Sequence, residues 1–498
     1  MDEIINRELT PGQVLVFFGV AVVVFIYPLL MADYCYIDDV WRSQSAGTAW
    51  IGGGRILIEW LYQGLSFTRG APNIFPLPLF ISAVVMSFSL RAWVFHFFGR
   101  PTVVGCFVAL PLWYSPFFLQ NLSYQYDGPG MALGMAVIVF SMAFHHRSIG
   151  MRVMVSGMLI TVALSFYQMT IDVFIGLSCV ELIRCANEQR GGRAGVLLLG
   201  EKITQLFVGV IIYWLTSYQL MTDERKELRH LEPGWGGRLI ADLRVVAGKV
   251  ALLCNEGNAW MCWGLFLLAS AGFCVVVFRI LKGADGITGK MAMILLCACA
   301  VFISLLAIPG LALVFDFFNG GVRLLLGFSV VLVLMLYLSY HALNVIHPRL
   351  VLGVMIPVVA MLSFSYAYGR VLSLQKELHG SVMQSLAYDI TSDVELKTVD
   401  KFYMIIRDVW VRVPGADGSM KLMPALKSVL NVDFILLSEM MPRVGVMNIS
   451  TVEGYEFDVV AHDRELQLVR DNKFYRIYVS GREGFVVMKG VSVDDVYE

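Results

Sequence analysis

Charge is what this 498-residue chain has least of. Lys, Arg, Asp and Glu make up 15% of it and apolar residues 57%, whereas about a quarter of a typical soluble domain is charged. That shortage excludes a large soluble core and indicates a polytopic membrane protein. Net charge is -1, which speaks against a nucleic-acid partner or a polybasic lipid clamp. Cysteine is absent after Cys299, and the nine present lie in or beside apolar runs, apart from Cys35. No disulfide framework or metal-type spacing follows from them, and most are expected as small buried hydrophobes. No Gly-x-Gly-x-x-Gly follows a strand pattern, so no dinucleotide-type fold for a nucleotide sugar is expected. The opening MDEIINRELTPGQ is acidic and polar, and no small-residue cleavage site follows the first apolar run; no signal peptide is expected.

What is abundant is long apolar runs. A spanning helix needs about 20 mostly apolar residues, and eleven runs qualify as candidate cores: Val14–Leu30, Leu77–Phe98, Val103–Leu119, Met131–Phe144, Val153–Phe166, Ile171–Ile183, Ile203–Leu220, Trp260–Phe278, Met291–Phe315, Leu324–Leu343 and Leu350–Ala367. Two of these, Val153–Phe166 and Ile171–Ile183, are short enough to form either a tight helical pair or one interrupted element. With the N-terminus inside, the inner short segments carry twelve Lys and Arg, against Arg42, Arg55, Arg69 and Arg323 outside. The positive-inside rule therefore puts the N-terminus in the cytoplasm and, with eleven spans, the C-terminus outside. Residues 222–258 contain Leu239, Leu243, Val246 and Val250 at helical spacing, which predicts an amphipathic helix on the membrane. From about residue 370 the pattern changes. Helical patterning runs through Ser373–Tyr388, and short alternating runs follow at Phe402–Arg407, Phe434–Glu439, Val444–Ile449, Phe457–Ala461, Leu466–Arg470, Phe474–Val479 and Phe485–Met488. Alternation broken by turn residues predicts strands. The expected architecture is mainly α, a polytopic helical domain over 1–369 of about eleven spans, with a small soluble α+β domain over 370–498.

On this topology the polar residues gather on one face. Asp33, Asp38, Asp39, Arg42, Arg55 and Glu59 fall in the first outside loop; Gln125, Tyr126 and Asp127 follow the third run; Tyr167, Gln168 and Asp172 separate the two short runs; Asp316, Asn319 and Arg323 follow the ninth. Adjacent carboxylates repel, and desolvation raises at least one of them, which suits a general base for a hydroxyl. The Asp38–Asp39 pair also has the oxygen donors a Mg²⁺, Mn²⁺ or Ca²⁺ ion takes; the plainer alternative is a helix N-cap. Gly52-Gly53-Gly54-Arg55 either brings backbone and a guanidinium fork to a phosphate or forms a hinge with a headgroup arginine. Gln125, Tyr126, Asp127 and Gln168 carry the donors and acceptors sugar hydroxyls need, although Asp127 before Pro129 also reads as a helix cap. Asp316 and Arg323 make either an ion pair between spans or a seat for a lipid phosphate on Arg323.

The motifs YIDDVWR (Tyr36–Arg42), the following Gly-Arg, NLSYQYDGPGMAL, SFYQM, GGVRLLLG and SFSYAYGRVLSLQ occur in that order. Over about residues 14–375 the chain thereby resembles the GtrII-type glucosyl transferases, bacterial inner-membrane enzymes of the GT-C kind that modify O-antigen. The resemblance implies transfer of glucose or a related hexose from a polyprenyl-phosphate carrier to a lipopolysaccharide O-antigen on the periplasmic face. It implies Asp38 or Asp39 as the acid or base, Gln125, Asp127 and Gln168 as sugar contacts, and Arg323 at the donor phosphate. It also implies two partners, a glucosyltransferase that makes the lipid donor and a small flippase that moves it across. The missing nucleotide-sugar signature agrees with a lipid-linked donor. Two other readings compete. A secondary transporter would show broken helices and midplane charges in two related halves, whereas here the charges cluster at span ends on one side and no halves repeat; a surface-glycan ligase or polymerase would share most of these features.

Overall fold

The computed structural model describes residues 7–223, 226, 234–314, 320–406, 413–432, 434–452 and 465–490. The chain is mainly helical, 72%, with a small sheet near its C-terminus. Its contacts divide it into two compact units. One comprises residues 1–27 and 46–366, and the other comprises 28–45 with 367–498.

Among the described residues, eight helical segments are long and apolar enough to cross a membrane: Pro11–Ala32, Leu77–Phe98, Ile149–Phe166, Gly192–Leu220, Ala259–Lys282, Ile287–Leu306, Gly327–Ile346 and Pro348–Ser392. The chain is a membrane protein. Eight, rather than about eleven, is the number that meets this standard, and the three other runs each fall short for a local reason. Val103–Leu119 is broken into helices Val103–Ala109, Pro111–Tyr114 and Phe118–Ser123, because Pro111 and Pro116 cannot donate within a helix and disfavour helical backbone before them. Met131–Phe144 falls on helix Asp127–Ala143, 17 residues long, with Phe144 as its C-cap. Ile171–Ile183 lies in helix Thr170–Asn187, which carries Asp172, Glu181 and Arg184.

In the first unit, helix Leu77–Phe98 packs on Asp127–Ala143, Ile149–Phe166 on Gly192–Leu215, and Ala259–Lys282 on Gly327–Ile346. Apolar side chains gain little from leaving lipid, so close backbone approach matters at such crossings. A Cβ on Gly272 would stand 2.0 Å from the Leu338 carbonyl oxygen, and glycine alone fits there. Far along helix Thr170–Asn187 from its start, buried Glu181 meets His96 at 2.8 Å, Lys202 at 3.1 Å and Arg184 at 3.4 Å. One carboxylate held by Lys202, Arg184 and the His96 ring ties three helices together. The amphipathic helix forms at Trp235–Ala251. Val246 is buried and Leu239, Leu243 and Val250 are half-buried, while Trp235, Ile240 and Val245 are exposed.

The second unit holds a five-stranded sheet in the order β2-β1-β5-β4-β3, with β1 Lys401–Ile405, β2 Ile449–Val452, β3 Gln467–Asp471, β4 Tyr475–Ser480 and β5 Glu483–Met488. β1 runs parallel to both β2 and β5, while β3–β4 and β4–β5 are antiparallel. Its buried residues Phe402, Met404, Ile477 and Val486 join Val382, Leu386 and Ile390 of helix Met355–Ser392 in one apolar core. Phe434–Glu439, expected as a strand, is irregular and leads into a 3-10 turn at Ser438–Val444 that contains Pro442. The run Phe457–Ala461 lies outside the described residues.

Candidate active site

In the first unit three sequence-predicted residues come together at helix ends. Arg55 precedes helix Ile56–Ser66 as its N-cap residue, Asp127 opens helix Asp127–Ala143, and Gln168 sits in the turn between Ile149–Phe166 and Thr170–Asn187. Arg55 reaches Asp127 Oδ1 at 3.2 Å, and its Nε donates to Gln168 Oε1 at 3.5 Å. The guanidinium carbon lies 5.0 Å over the Tyr167 ring. Asp127 is the deeper partner, its side chain 6% exposed against 22% for Arg55. Asp127 stands in the first turn of its helix, where the helix dipole favours a carboxylate beside the Arg55 guanidinium. Arg55 is the more accessible charge.

Residues without an obvious sequence signal hold this cluster. The Trp50 indole N–H donates to the same Asp127 oxygen at 3.1 Å. Trp50 stacks on Tyr62, and Tyr62 on Tyr126, with 5.3 Å between ring centroids at each step. The Gln168 amide donates to the Gly53 carbonyl at 2.7 Å and to the Tyr213 hydroxyl at 2.9 Å. Gly54 is left-handed at φ +68, and a Cβ there would stand 2.6 Å from that hydroxyl. The glycine run therefore places backbone against Gln168 and Tyr213 immediately before Arg55.

Arg323 joins through its main chain. Its N–H donates to Gln120 Oε1 at 2.7 Å, and its carbonyl accepts from the Tyr167 hydroxyl and the Asn121 amide, both at 3.1 Å. Its guanidinium donates to the Tyr124 hydroxyl and lies 5.4 Å from that ring's centroid. Burial raises the Tyr167 phenol, with Arg55 and Arg323 opposing; it stays a neutral donor to the Arg323 carbonyl at neutral pH. Gln125 is buried, and its carbonyl accepts from Tyr62 at 3.0 Å. Tyr126 is a buried member of the aromatic stack.

Asp38, Asp39 and Arg42 belong to the second unit. The two carboxylates are unlike: Asp38 is exposed at a turn, while Asp39 is buried as the first residue of the short helix Asp39–Ser45. Asp39 Oδ2 accepts from the Tyr36 N–H at 3.0 Å. Arg42 is buried, with its guanidinium 4.6 Å from the Trp41 ring centroid. Asp172 is buried, and its carboxylate accepts from the Leu311 N–H at 2.9 Å. Asp316 lies outside the described residues. Among the described residues no three acidic, His or Cys groups converge as a metal-binding set.

The fold and this cluster define a polytopic membrane protein that presents a guanidinium, a carboxylate and a carboxamide together at helix ends. The family model described as glucosyl transferase GtrII matches residues 27–334, and the chain belongs to that family. It is also 27% identical over 159 residues to the "uncharacterized 55.3 kDa protein in gtrB 5'region" of Salmonella phage P22. That match covers 32% of this chain and a third, 33%, of the phage protein's length. No solved structure matches the chain.

Proposed function

We propose that the protein transfers a hexose, glucose by family, from a polyprenyl-phosphate-linked donor to O-antigen polysaccharide on the periplasmic face of the bacterial inner membrane, with the N-terminus cytoplasmic and the C-terminal domain periplasmic. The observation that carries this reading is the Arg55–Asp127–Gln168 cluster inside the region matched by the family. A guanidinium fork suits a lipid-linked phosphate, and a carboxylate and a carboxamide beside it suit sugar hydroxyls.

In the proposed reaction the acceptor hydroxyl oxygen attacks the anomeric carbon and the bond from that carbon to the phosphate oxygen breaks. The acceptor's proton passes to a carboxylate and polyprenyl phosphate leaves. A single displacement inverts the anomer. Asp38 is the proposed base because it is the exposed member of its pair, and Asp39 orients the loop that carries it. Arg55 and Arg323 stabilise the charge that develops on the leaving phosphate. Gln168 and Asp127 hold the sugar, and Gln125 and Tyr126 support them from behind. Donor supply requires a polyprenyl-phosphate glucosyltransferase and a flippase in the same pathway.

The test is transfer by the purified protein in nanodiscs from polyprenyl-phosphate glucose to an O-polysaccharide acceptor. Loss in Asp38→Asn, with Asp39→Asn impaired, is the expected result. Undiminished transfer in both variants removes these acids from the mechanism.

A further inference from the structure

The acidic loop is part of the C-terminal unit, and the contacts that seat it are specific. Lys376 reaches Asp33 Oδ2 at 3.2 Å. The Tyr34 hydroxyl lies 3.4 Å from His379 Nδ1, while His379 Nε2 stands 2.6 Å from the Gln375 carboxamide and 3.2 Å from the Phe434 carbonyl oxygen. The imidazole is thus gripped on both nitrogens. Val40 sits in the apolar core with Val382, Leu386 and Met441, and Arg443 donates to Ser43 Oγ at 3.0 Å. A seven-residue helix such as Asp39–Ser45 does not persist in water alone, so these contacts set its geometry.

Tyr36 is where the two parts meet. Its hydroxyl donates to the carbonyl oxygens of Leu430 and, at 3.3 Å, Val429. Those residues end helix Ala425–Leu430, and the last carbonyls of a helix have no partner within it. The Tyr36 N–H, at the other end of the residue, donates to Asp39 Oδ2. One side chain and its own backbone therefore connect a helix end of the C-terminal domain to the carboxylate of the acidic pair.

We infer that Tyr36 is a positioning residue through which the C-terminal domain fixes the Asp38–Asp39 pair for glucosyl transfer, with His379 supporting the same loop through Tyr34. The inference rests on the reading in which these acids serve the transfer. A small displacement of a reacting group is enough to slow an oriented reaction severalfold to a hundredfold.

The experiment compares the full chain in nanodiscs as wild type, Tyr36→Phe, His379→Ala and His379→Asn, with Asp38→Asn and Asp39→Asn alongside. It reads kcat and KM for polyprenyl-phosphate glucose. It also reads the rate at which N-ethylmaleimide alkylates half-buried Cys35, resolved by peptide mass because Cys254, Cys274 and Cys299 are exposed as well. Tyr36→Phe is expected to lower kcat about tenfold with the donor KM unchanged, and to raise Cys35 alkylation severalfold. His379→Ala is expected to do the same, and His379→Asn, which keeps an acceptor near the Nδ1 position, to restore most of both. Wild-type kcat in Tyr36→Phe, or a lowered kcat with Cys35 as protected as before, overturns the positioning role while Asp38→Asn still abolishes transfer. Full activity in both Asp variants overturns the reading of the acids, and the positioning role with it.

Discussion

Arg55 is the residue on which the candidate site turns, because it touches Asp127, Gln168 and the Tyr167 ring at once. Replacing it with Met leaves a buried carboxylate without its ion-pair partner, a change that costs about 3 kcal/mol or more. Arg55→Met is expected to lower the melting temperature in detergent and to cut kcat/KM by about a hundredfold, as loss of a charge at a developing phosphate anion does. Arg55→Lys is expected to recover part of the stability and little of the activity, since an ammonium has no planar fork. Equal activity in wild type and Arg55→Met would remove this residue from the site. Arg55, Asp127 and Gln168 stood out in the sequence as polar side chains at the ends of apolar runs, although a helix cap for Asp127 and a hinge before Arg55 read equally from the residues alone. Trp50 and Tyr213 were not. Aromatic residues bordering apolar runs are ordinary interface anchors, and only the fold shows one on Asp127 and the other on Gln168.

At the scale of elements, the turn Ile51–Gly54 and the helix Thr170–Asn187 carry separable predictions. Gly54→Ala places a Cβ in left-handed backbone, 2.6 Å from the Tyr213 hydroxyl. The turn must shift, taking Arg55 with it, so donor KM is expected to rise and kcat to fall while expression in the membrane stays measurable; unchanged kinetics would mean the turn does not set Arg55. Glu181 lies about 16 Å along its helix from Thr170, at the 1.5 Å rise per residue. Glu181→Gln leaves His96, Lys202 and Arg184 without the anion they share, at a cost of about 3–5 kcal/mol for a buried network. The melting temperature is expected to drop and kcat of the folded fraction to hold, which separates the lock from the chemistry; a kcat lost without a change in melting would join them. Hydropathy found the long helices, and alternation found β1, β3, β4 and β5, whereas the run Val444–Ile449 reaches β2 only at Ile449. Hydropathy missed the breaks at Pro111 and Pro116, because a window average hides a backbone that cannot donate. It also overrated Ile171–Ile183, a run that itself contains Asp172 and Glu181 and whose helix continues through Arg184.

At the scale of the whole chain, an apolar helical unit and a sheet-containing unit answer to different conditions. In the second, Tyr475 donates to Asp389 Oδ2 at 2.7 Å and shares a hydrogen bond with Ser385 at 3.0 Å. Burial, with Asp389 adding to it, pushes its phenol up to about 12, against about 10 in an unfolded chain. The folded state therefore holds this proton longer than the unfolded one. The resulting stability is fully present below about pH 10 and is lost as pH rises toward about 12. Hydrogen exchange of residues 465–490 is expected to accelerate across that window in wild type and to lose that step in Tyr475→Phe; a step that persists in the variant assigns it to another group. The sequence changes pattern near residue 370, but the membership of residues 28–45 in the second unit was not legible there, since it depends on long-range contacts such as Tyr36 with Leu430. The central claim is transfer of one hexose to a surface polysaccharide, and its most direct test is the mass of the O-antigen repeat in cells with and without this chain. With the donor-making glucosyltransferase and flippase present, the repeat is predicted to gain one hexose with the wild-type chain and none with Arg55→Met. An identical repeat mass with and without the wild-type chain would contradict the account.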